Sequence, residues 1–373
     1  MSDSYYTPSL KARWVLRRNA ILGSPRFQRW ASRTPIVRMI ARRKAAAQFD
    51  MIAGFVYAQV LAAFVESGLI SYLNGHLRSA PEVAAFTGLA PDAASRLLHA
   101  GESLQISESL ADNWWTLGEA GAALSCNDGA LAMIRHHRLL YRDLTDPLAL
   151  FAKDRREETA LSAYWTYASK SGSQEKAADY SELMAATQPM VSQQIIDAYD
   201  FKAHRRMLDV GGGSGAFAAA IHEAAPALEI GIFDLPEVIE AAKQRFANAP
   251  LSANWHYHPG SFKTSMLPEG YDLITLSRIL HDHDDDVVQT LLAKIYSALP
   301  TGGRLLIVEP MADSPHAKPM GHAYFGLYLW AMGSGRPRTA AELQIMMKAA
   351  GFANIKQVRT ALPIITSAIV AIK

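Results

Sequence analysis

The chain has 373 residues, half of them hydrophobic, and a formal net charge of only +2, enough for a sizeable core and more than one domain. Its single cysteine, Cys126, excludes an internal disulfide and gives no reason to expect an oxidising compartment. No run reaches the roughly eighteen uninterrupted apolar residues of a membrane span, since 55–70 is broken by Gln59 and Glu66, and a cytoplasmic protein is expected.

The charge is unevenly spread along the chain. Before Asp50 there are eleven Lys or Arg residues and one acid, Asp3, a balance of +10 that leaves −8 for the remainder. In this basic arm, residues 1–46, Trp14, Leu16, Ile21, Leu22, Phe27 and Trp30 are interleaved with Arg13, Arg17, Arg18, Arg26, Arg29 and Arg33. Such a segment suits an anionic membrane surface; it suits equally a solvated arm docked on the acidic remainder of a partner subunit. No apolar stretch of signal-peptide type follows the charges.

Residues 47–125 read as an all-α winged-helix dimerisation domain. The segment 51–73 has the spacing of an amphipathic helix, with Phe55, Val56, Val60, Leu61, Phe64 and Val65 on an apolar surface too broad for one partner. Two short helices, 81–89 and 91–104, precede a short strand at 114–117. The second offers only Arg96 and His99 as basic groups, too few to neutralise phosphates, so dimerisation is expected and nucleic-acid binding is not.

A helical linker and pocket segment is expected over 126–200, with an aromatic cluster at Tyr164, Trp165, Tyr167 and Tyr180. From 201 to 373 strands and helices alternate. Strands are predicted at 205–210, 229–235, 254–260, 272–280 and 304–309, with two more at 354–360 and 364–372, the last antiparallel. This pattern predicts an α/β, Rossmann-like domain whose parallel sheet is covered on both faces. In such a sheet the ligand lies beyond the carboxyl ends of the strands, which here carry Asp209, Asp234, Gly260, His281 and Glu309.

The run Leu208-Asp209-Val210-Gly211-Gly212-Gly213-Ser214-Gly215, with Asp234 nineteen residues beyond it, lets backbone approach a ligand where side chains would clash. A dinucleotide fold would use G-x-G-x-x-G to seat a pyrophosphate on the helix N-terminus. The tighter G-x-G-x-G spacing, led by Asp209, suits a nucleoside without pyrophosphate, and S-adenosylmethionine (SAM) better than NAD. Asp209, Gly211, Gly213, Gly215, Asp234 and Leu235 are therefore cofactor candidates, with Asp234 accepting from a ribose diol.

His281 is the candidate general base. Its ordinary pKa of about 6.5 would leave it largely neutral at cellular pH, and Glu309 on the neighbouring strand would fix its tautomer and stabilise its charged form. The string His281-Asp282-His283-Asp284-Asp285-Asp286 invites a metal reading. Six consecutive residues entering a helix cannot converge on one ion, and acids in a first helical turn are favoured by the helix dipole alone; no metal is expected.

These motifs, with Phe233-Asp234-Leu235-Pro236, Leu280-His281-Asp282, Gly302-Gly303-Arg304 and Arg338-Thr339, resemble the SAM-dependent O-methyltransferases of the caffeate and acetylserotonin type over roughly residues 50–373. The resemblance implies that Gly211 and Asp234 bind SAM, that His281 is the base, and that the amino half forms an intertwined homodimer contributing to the partner's substrate pocket. A closer resemblance is carried by Ser24-Pro25-Arg26-Phe27-Gln28-Arg29-Trp30, by 54–61, and by Tyr324-Phe325-Gly326-Leu327-Tyr328 with 331–338. It is to the acyclic carotenoid methyltransferases of purple photosynthetic bacteria, which methylate the tertiary C1 hydroxyl of hydroxyneurosporene or demethylspheroidene.

Departures from the wider family matter too. Gly260-Ser261-Phe262 stands where many members have an Asp and an apolar residue for the adenine, so Ser261 or backbone groups must take that part. Pro337 stands where plant enzymes carry a second acid, which would leave Glu309 to orient the base alone. Ser277 falls where bacterial relatives contact the cofactor, and Met184 where an apolar side chain flanks the methyl donor. Phe325, Tyr328, Leu329 and Met332 recur at helical spacing; such a stripe either packs the core or, with Trp165 and Met184, lines a pocket for a small lipophilic substrate. Burial at about 25 cal/mol per Å² would bind a long apolar molecule with one hydroxyl, and the arm would give peripheral contact with the photosynthetic membrane. The alternatives are methylation of a phenol, hydroxyindole or polyketide, and a non-catalytic SAM-binding or DNA-binding regulator.

Overall fold

The computed structural model describes residues 9–110, 113–152, 158–165, 174–247 and 255–373, with only the backbone of 174–182. Tyr167, the side chain of Tyr180 and Asn254 lie outside the described residues. The chain forms two compact units, Met1–Ala122 and Ala123–Lys373.

In the first unit, three helices, α1 (Leu10–Leu22), α2 (Pro25–Arg33) and α3 (Pro35–Glu66), precede α4 (Leu69–Leu73), β1 (Arg78–Ser79), α5 (Ala80–Thr87), α6 (Pro91–Ser103), β2 (Ser107–Leu110) and β3 (Trp114–Leu117); α7 (Glu119–Ser125) follows. Pro25 and Pro35 open their helices at the first turn, where a missing N–H costs nothing. The helix expected at 51–73 is in fact two, because Gly68 takes a φ of 77° and turns the chain between α3 and α4. The boundary expected between 46 and 47 falls inside α3. The strands pair antiparallel in the order β1-β3-β2 around a core of Phe64, Leu73, Val83, Leu98 and Trp115. Gly101 on α6 makes room for Phe64, whose ring would lie 2.4 Å from an added Cβ.

Among the described residues α3 is the one helix long and apolar enough, by length and composition, to cross a membrane. An uninterrupted-run criterion misses it because single polar residues such as Asp50 and Gln59 break a run yet dilute a 32-residue helix little. Phe49, Met51, Ile52 and Phe55 on this helix are exposed, Phe55 by 72%.

The second unit begins with α8 (Asp128–Asp143), α9 (Pro147–Leu150), α10 (Ala160–Tyr164) and α11 (Gln174–Ile196). Strands and helices then alternate: β4 (Arg206–Val210), α12 (Ala216–Ala224), β5 (Glu229–Asp234), α13 (Pro236–Phe246), β6 (Trp255–Pro259), β7 (Leu273–Ser277), α14 (Asp285–Ala298), β8 (Arg304–Glu309), α15 (Gly326–Met332), α16 (Ala340–Ala349), β9 (Ala353–Val358) and β10 (Ser367–Ile372). The sheet has seven strands in the order β6-β5-β4-β7-β8-β10-β9. The first five are parallel and β10 runs antiparallel to β8 and β9, as expected.

Alternation sends successive residues to opposite faces. Leu208, Val210, Leu305 and Ile307 pack with α14 and α16 residues such as Leu292, Ile295 and Met347. Met207, Leu306 and Val308 pack instead with Ile195, Phe217 and Ile221 from α11 and α12. Both faces are thus sealed, and the carboxyl strand ends remain for a ligand. One strand is shorter than predicted: β7 stops at Ser277, because Arg278 enters the left-handed region at φ 58°. His281 therefore sits on a single 3-10 turn, Leu280–Asp282, and not on the strand.

Candidate active site

A cleft of about 1050 Å³, part of it open to solvent, lies at the ends of β4, β5, β6 and β7. Its floor is the glycine turn. Gly211 donates to the Phe233 carbonyl at 2.8 Å, and its φ of 73° and the 2.4 Å from a would-be Cβ to Ile279 exclude any side chain there.

Two buried carboxylates border this turn. Asp234 accepts from the Gly213 N–H at 2.8 Å and the Leu235 N–H at 2.7 Å. Burial still outweighs those bonds and pushes it up to about 6. Asp209 accepts from Thr275 Oγ1 at 2.7 Å through Oδ1, while Oδ2 is buried without a hydrogen-bond partner. Burial pushes this group up to about 7. An unpartnered buried acceptor is costly, and one lining a cleft whose backbone is bared by glycine fits a ligand that brings a donor or positive charge.

The base is built from side chains. Glu309 Oε1 accepts the Ile279 and Leu280 N–H groups at 2.9 and 2.7 Å, which aims Oε2 at His281 Nδ1, with which it forms a short hydrogen bond. Asp282 Oδ1 lies 3.2 Å from the other ring nitrogen, Nε2. Burial alone would lower the imidazole pKa, but the carboxylates of Glu309 and Asp282 prevail and raise it to about 9. The two carboxylates thus favour the imidazolium, the opposite direction from the largely neutral base expected from the ordinary pKa. Glu309 does not act alone either, because Asp282 supplies a second carboxylate.

The turn that carries His281 is braced by Arg338. This buried guanidinium donates to the Leu280 carbonyl at 2.6 Å, the His283 carbonyl at 2.8 Å and Asp285 Oδ1 at 2.6 Å. Phe325 meets the His281 ring edge-on, centroids 5.9 Å apart, from a π-helical turn, Met320–Phe325, a geometry that recurs at functional sites.

Residues 141–353 match the O-methyltransferase domain family. The demethylspheroidene O-methyltransferase of Cereibacter sphaeroides is 39% identical over 356 residues, covering 95% of this chain and 93% of its own. That of Rhodobacter capsulatus is 40% identical over 351 residues, covering 93% and 87%. The chain belongs to this O-methyltransferase family. Among solved structures, the calicheamicin-biosynthesis methyltransferase CalO1 in its SAH-bound form is 26% identical with a TM-score of 0.74 over 88% of this chain and 98% of its own. Human N-acetylserotonin methyltransferase, solved with SAM, shares the fold at 24% identity, TM-score 0.72, over 88% and 97%. The enzyme is a SAM-dependent O-methyltransferase, and S-adenosylmethionine is its cofactor.

Of the methyltransferase residues anticipated for the cofactor, Asp209, Gly211, Gly213, Asp234, Leu235, Gly260, Ser261, Phe262 and Ser277 line the cleft. Gly215 does not. It caps α12 at φ 77°, and an added Cβ would lie 2.7 Å from the Phe246 ring, so its glycine serves helix-to-sheet packing. Trp165 and Met184 also line the cleft. Tyr328, Leu329 and Met332 do not, being packed with Leu140, Leu150 and Leu161 in a core cluster that Phe325 borders. His281 is outside the lining too, although its neighbours Ile279, Asp282 and His283 belong to it.

Several lining or bracing groups carried no signal in the sequence. Arg278, which lines the cleft, donates to Thr187 Oγ1 at 2.6 Å, the Met184 carbonyl at 2.8 Å and Gln188 Oε1 at 2.7 Å. Gln188 in turn donates to Ser277 Oγ at 3.2 Å. His136 and His137 on α8 share hydrogen bonds with the Tyr328 and Tyr324 hydroxyls at 2.9 and 2.6 Å. Only the adjacency of His136 and His137 could have flagged them. Among the described residues no cluster of acids, histidines or cysteines could hold a metal.

Proposed function

We propose that this enzyme methylates the tertiary C1 hydroxyl of acyclic carotenoids of the hydroxyneurosporene and demethylspheroidene type. The observation that carries the reading is the near-40% identity to two demethylspheroidene O-methyltransferases over 93–95% of the chain. When bound, SAM supplies a methyl group already activated on a sulfonium. In this reading the chain's residues hold, orient and deprotonate. Asp234 accepts from the ribose hydroxyls with lone pairs left over from Gly213 and Leu235, and Asp209 Oδ2 gains a donor. Gly211, Gly213, Leu235, Gly260, Ser261, Phe262 and Ser277 shape the remaining wall, with Trp165 and Met184 beside the substrate.

His281 takes the proton of the hydroxyl through Nε2 as the oxygen is methylated. A tertiary alcohol is too weakly acidic to be ionised beforehand, and it becomes a strong acid once alkylated, so the proton moves during or just after the transfer. Glu309 keeps hydrogen on Nδ1 and stabilises the imidazolium that results. The ring must arrive neutral, with the Asp282 contact at Nε2 yielding to the substrate.

The first unit serves assembly and delivery. A winged-helix domain spanning 47–125 forms a homodimer in which a second copy covers the exposed Phe49, Ile52 and Phe55 of α3. The basic, Trp-bearing helices α1 and α2 rest on an anionic membrane, where a carotenoid must be collected. Removing 1–33, which spares α3, should weaken sedimentation with anionic liposomes; unchanged sedimentation contradicts the membrane contact.

The test of the whole reading is methyl transfer from labelled SAM to detergent-dispersed 1-hydroxy acyclic carotenoids beside a panel of phenols and hydroxyindoles. Labelled carotenoid without phenolic product is expected. Phenolic product alone would overturn the substrate assignment.

A further inference from the structure

One wall of the cleft is the loop after β6, in which Gly260, Ser261, Phe262 and Lys263 all face the cleft space. Gly260 still donates to the Asp234 carbonyl at 2.8 Å, and beyond it the loop folds on itself. The Thr264 and Ser265 N–H groups donate to the Ser261 carbonyl at 3.0 and 2.6 Å, and the Ser261 N–H donates to Ser265 Oγ at 3.2 Å. These local bonds leave the carbonyls of Phe262, Lys263 and Ser265 to be satisfied. Lys294 Nζ, reaching from α14, donates to all three, at 2.8, 3.1 and 2.9 Å. An ammonium has three donors and no acceptor, so this set saturates it, with charge-assisted bonds stronger than neutral ones.

We infer that Lys294 is a positioning residue for the cofactor: by gathering three carbonyls outside the cleft, it fixes Ser261 and Phe262 where they meet the bound nucleoside. A second contact ties the lead-in to that helix to the same loop. The Phe262 ring meets His283 edge-on at 5.2 Å, and His283 immediately precedes Asp284, the N-cap of α14. The helix and its lead-in therefore grip the loop at one point each and follow directly on the turn carrying His281. Together they register the nucleoside wall against the base.

The inference rests on the reading of this cleft as the SAM site, and calorimetry with S-adenosylhomocysteine separates the two. The full-length protein, Lys294→Met and Lys294→Arg are titrated with it and their turnover is measured. Lys294→Met keeps the stem and helix propensity but has no donor, and its Kd should rise about tenfold or more, the loss expected for charge-assisted bonds. KM for SAM should rise by a similar factor, with a smaller change in kcat and little change in unfolding temperature, and Lys294→Arg should recover part of the affinity. Should Lys294→Met fail to fold, Lys294→Gln, an uncharged donor, should fall between Lys294→Arg and full loss. An unchanged Kd in the variants overturns the inference, as does a fall in kcat and unfolding temperature at constant KM. Failure of the unmodified protein to bind S-adenosylhomocysteine refutes the cleft reading and the inference with it.

Discussion

On the cofactor side of the cleft, the groups that face a ligand are fixed by main-chain bonds and by glycine conformations. Around His281 they are fixed by side chains arriving from β8, the π-helical turn and the loop that leads into α16. Gly211 and Asp234 owe their places to the Phe233 carbonyl and the Gly213 and Leu235 amides. His281 owes its place to Glu309, Asp282 and Phe325, on a turn held by Arg338. The first arrangement is a rigid seat; the second is a charge balance that substrate and pH can move. Binding and proton transfer should therefore be separable by substitution.

The largest effect should come from crowding the seat. Gly211→Val puts a branched side chain at φ 73° and against Ile279; strain plus overpacking of a few kcal/mol should cost more than about a hundredfold in S-adenosylhomocysteine affinity. Calorimetry reads this directly, and tight binding by the variant would break the contrast from the cofactor side.

Glu309→Gln should act on the other half. Its carbonyl oxygen can still take the Ile279 and Leu280 amides, but its NH2 would then face Nδ1, forcing hydrogen onto Nε2 and removing the acceptor. A loss of about a hundredfold or more in kcat is expected while S-adenosylhomocysteine still binds. A parallel loss of affinity would show that the halves are not independent.

The charge balance also sets a pH dependence. Because Glu309 and Asp282 hold the His281 pKa up at about 9, and the neutral ring is the active form, kcat/KM should climb about tenfold per pH unit below that value and level above it. A profile already flat between pH 6 and 8 contradicts the assignment. Asp282→Asn, the smallest effect, should move this limb toward lower pH by about one unit.

Legibility in the sequence followed the same division. The glycine turn, Asp234 and the alternation of buried strands are local patterns, and the seven strands and their order of appearance were readable from them. Gly215 shows the limit of that reading, since a motif glycine can sit outside the cleft lining and make room for the Phe246 ring. Arg338 and Arg278 act across 53 to 94 positions, and Asp282 acts through a turn that the left-handed Arg278 creates, so no spacing rule points to them. Tyr328, Leu329 and Met332 illustrate a different ambiguity. A helical apolar stripe looks the same whether it faces a pocket or a core, and here Leu140, Leu150 and Leu161 fill the space beside it.

The central claim, that the two halves bind and deprotonate separately, is tested most directly with His281→Ala, measuring kcat and the S-adenosylhomocysteine Kd on one preparation. The account predicts kcat lower by about a hundredfold or more, with Kd changed by less than about threefold. Near-normal turnover, or an equal loss in both quantities, would contradict it.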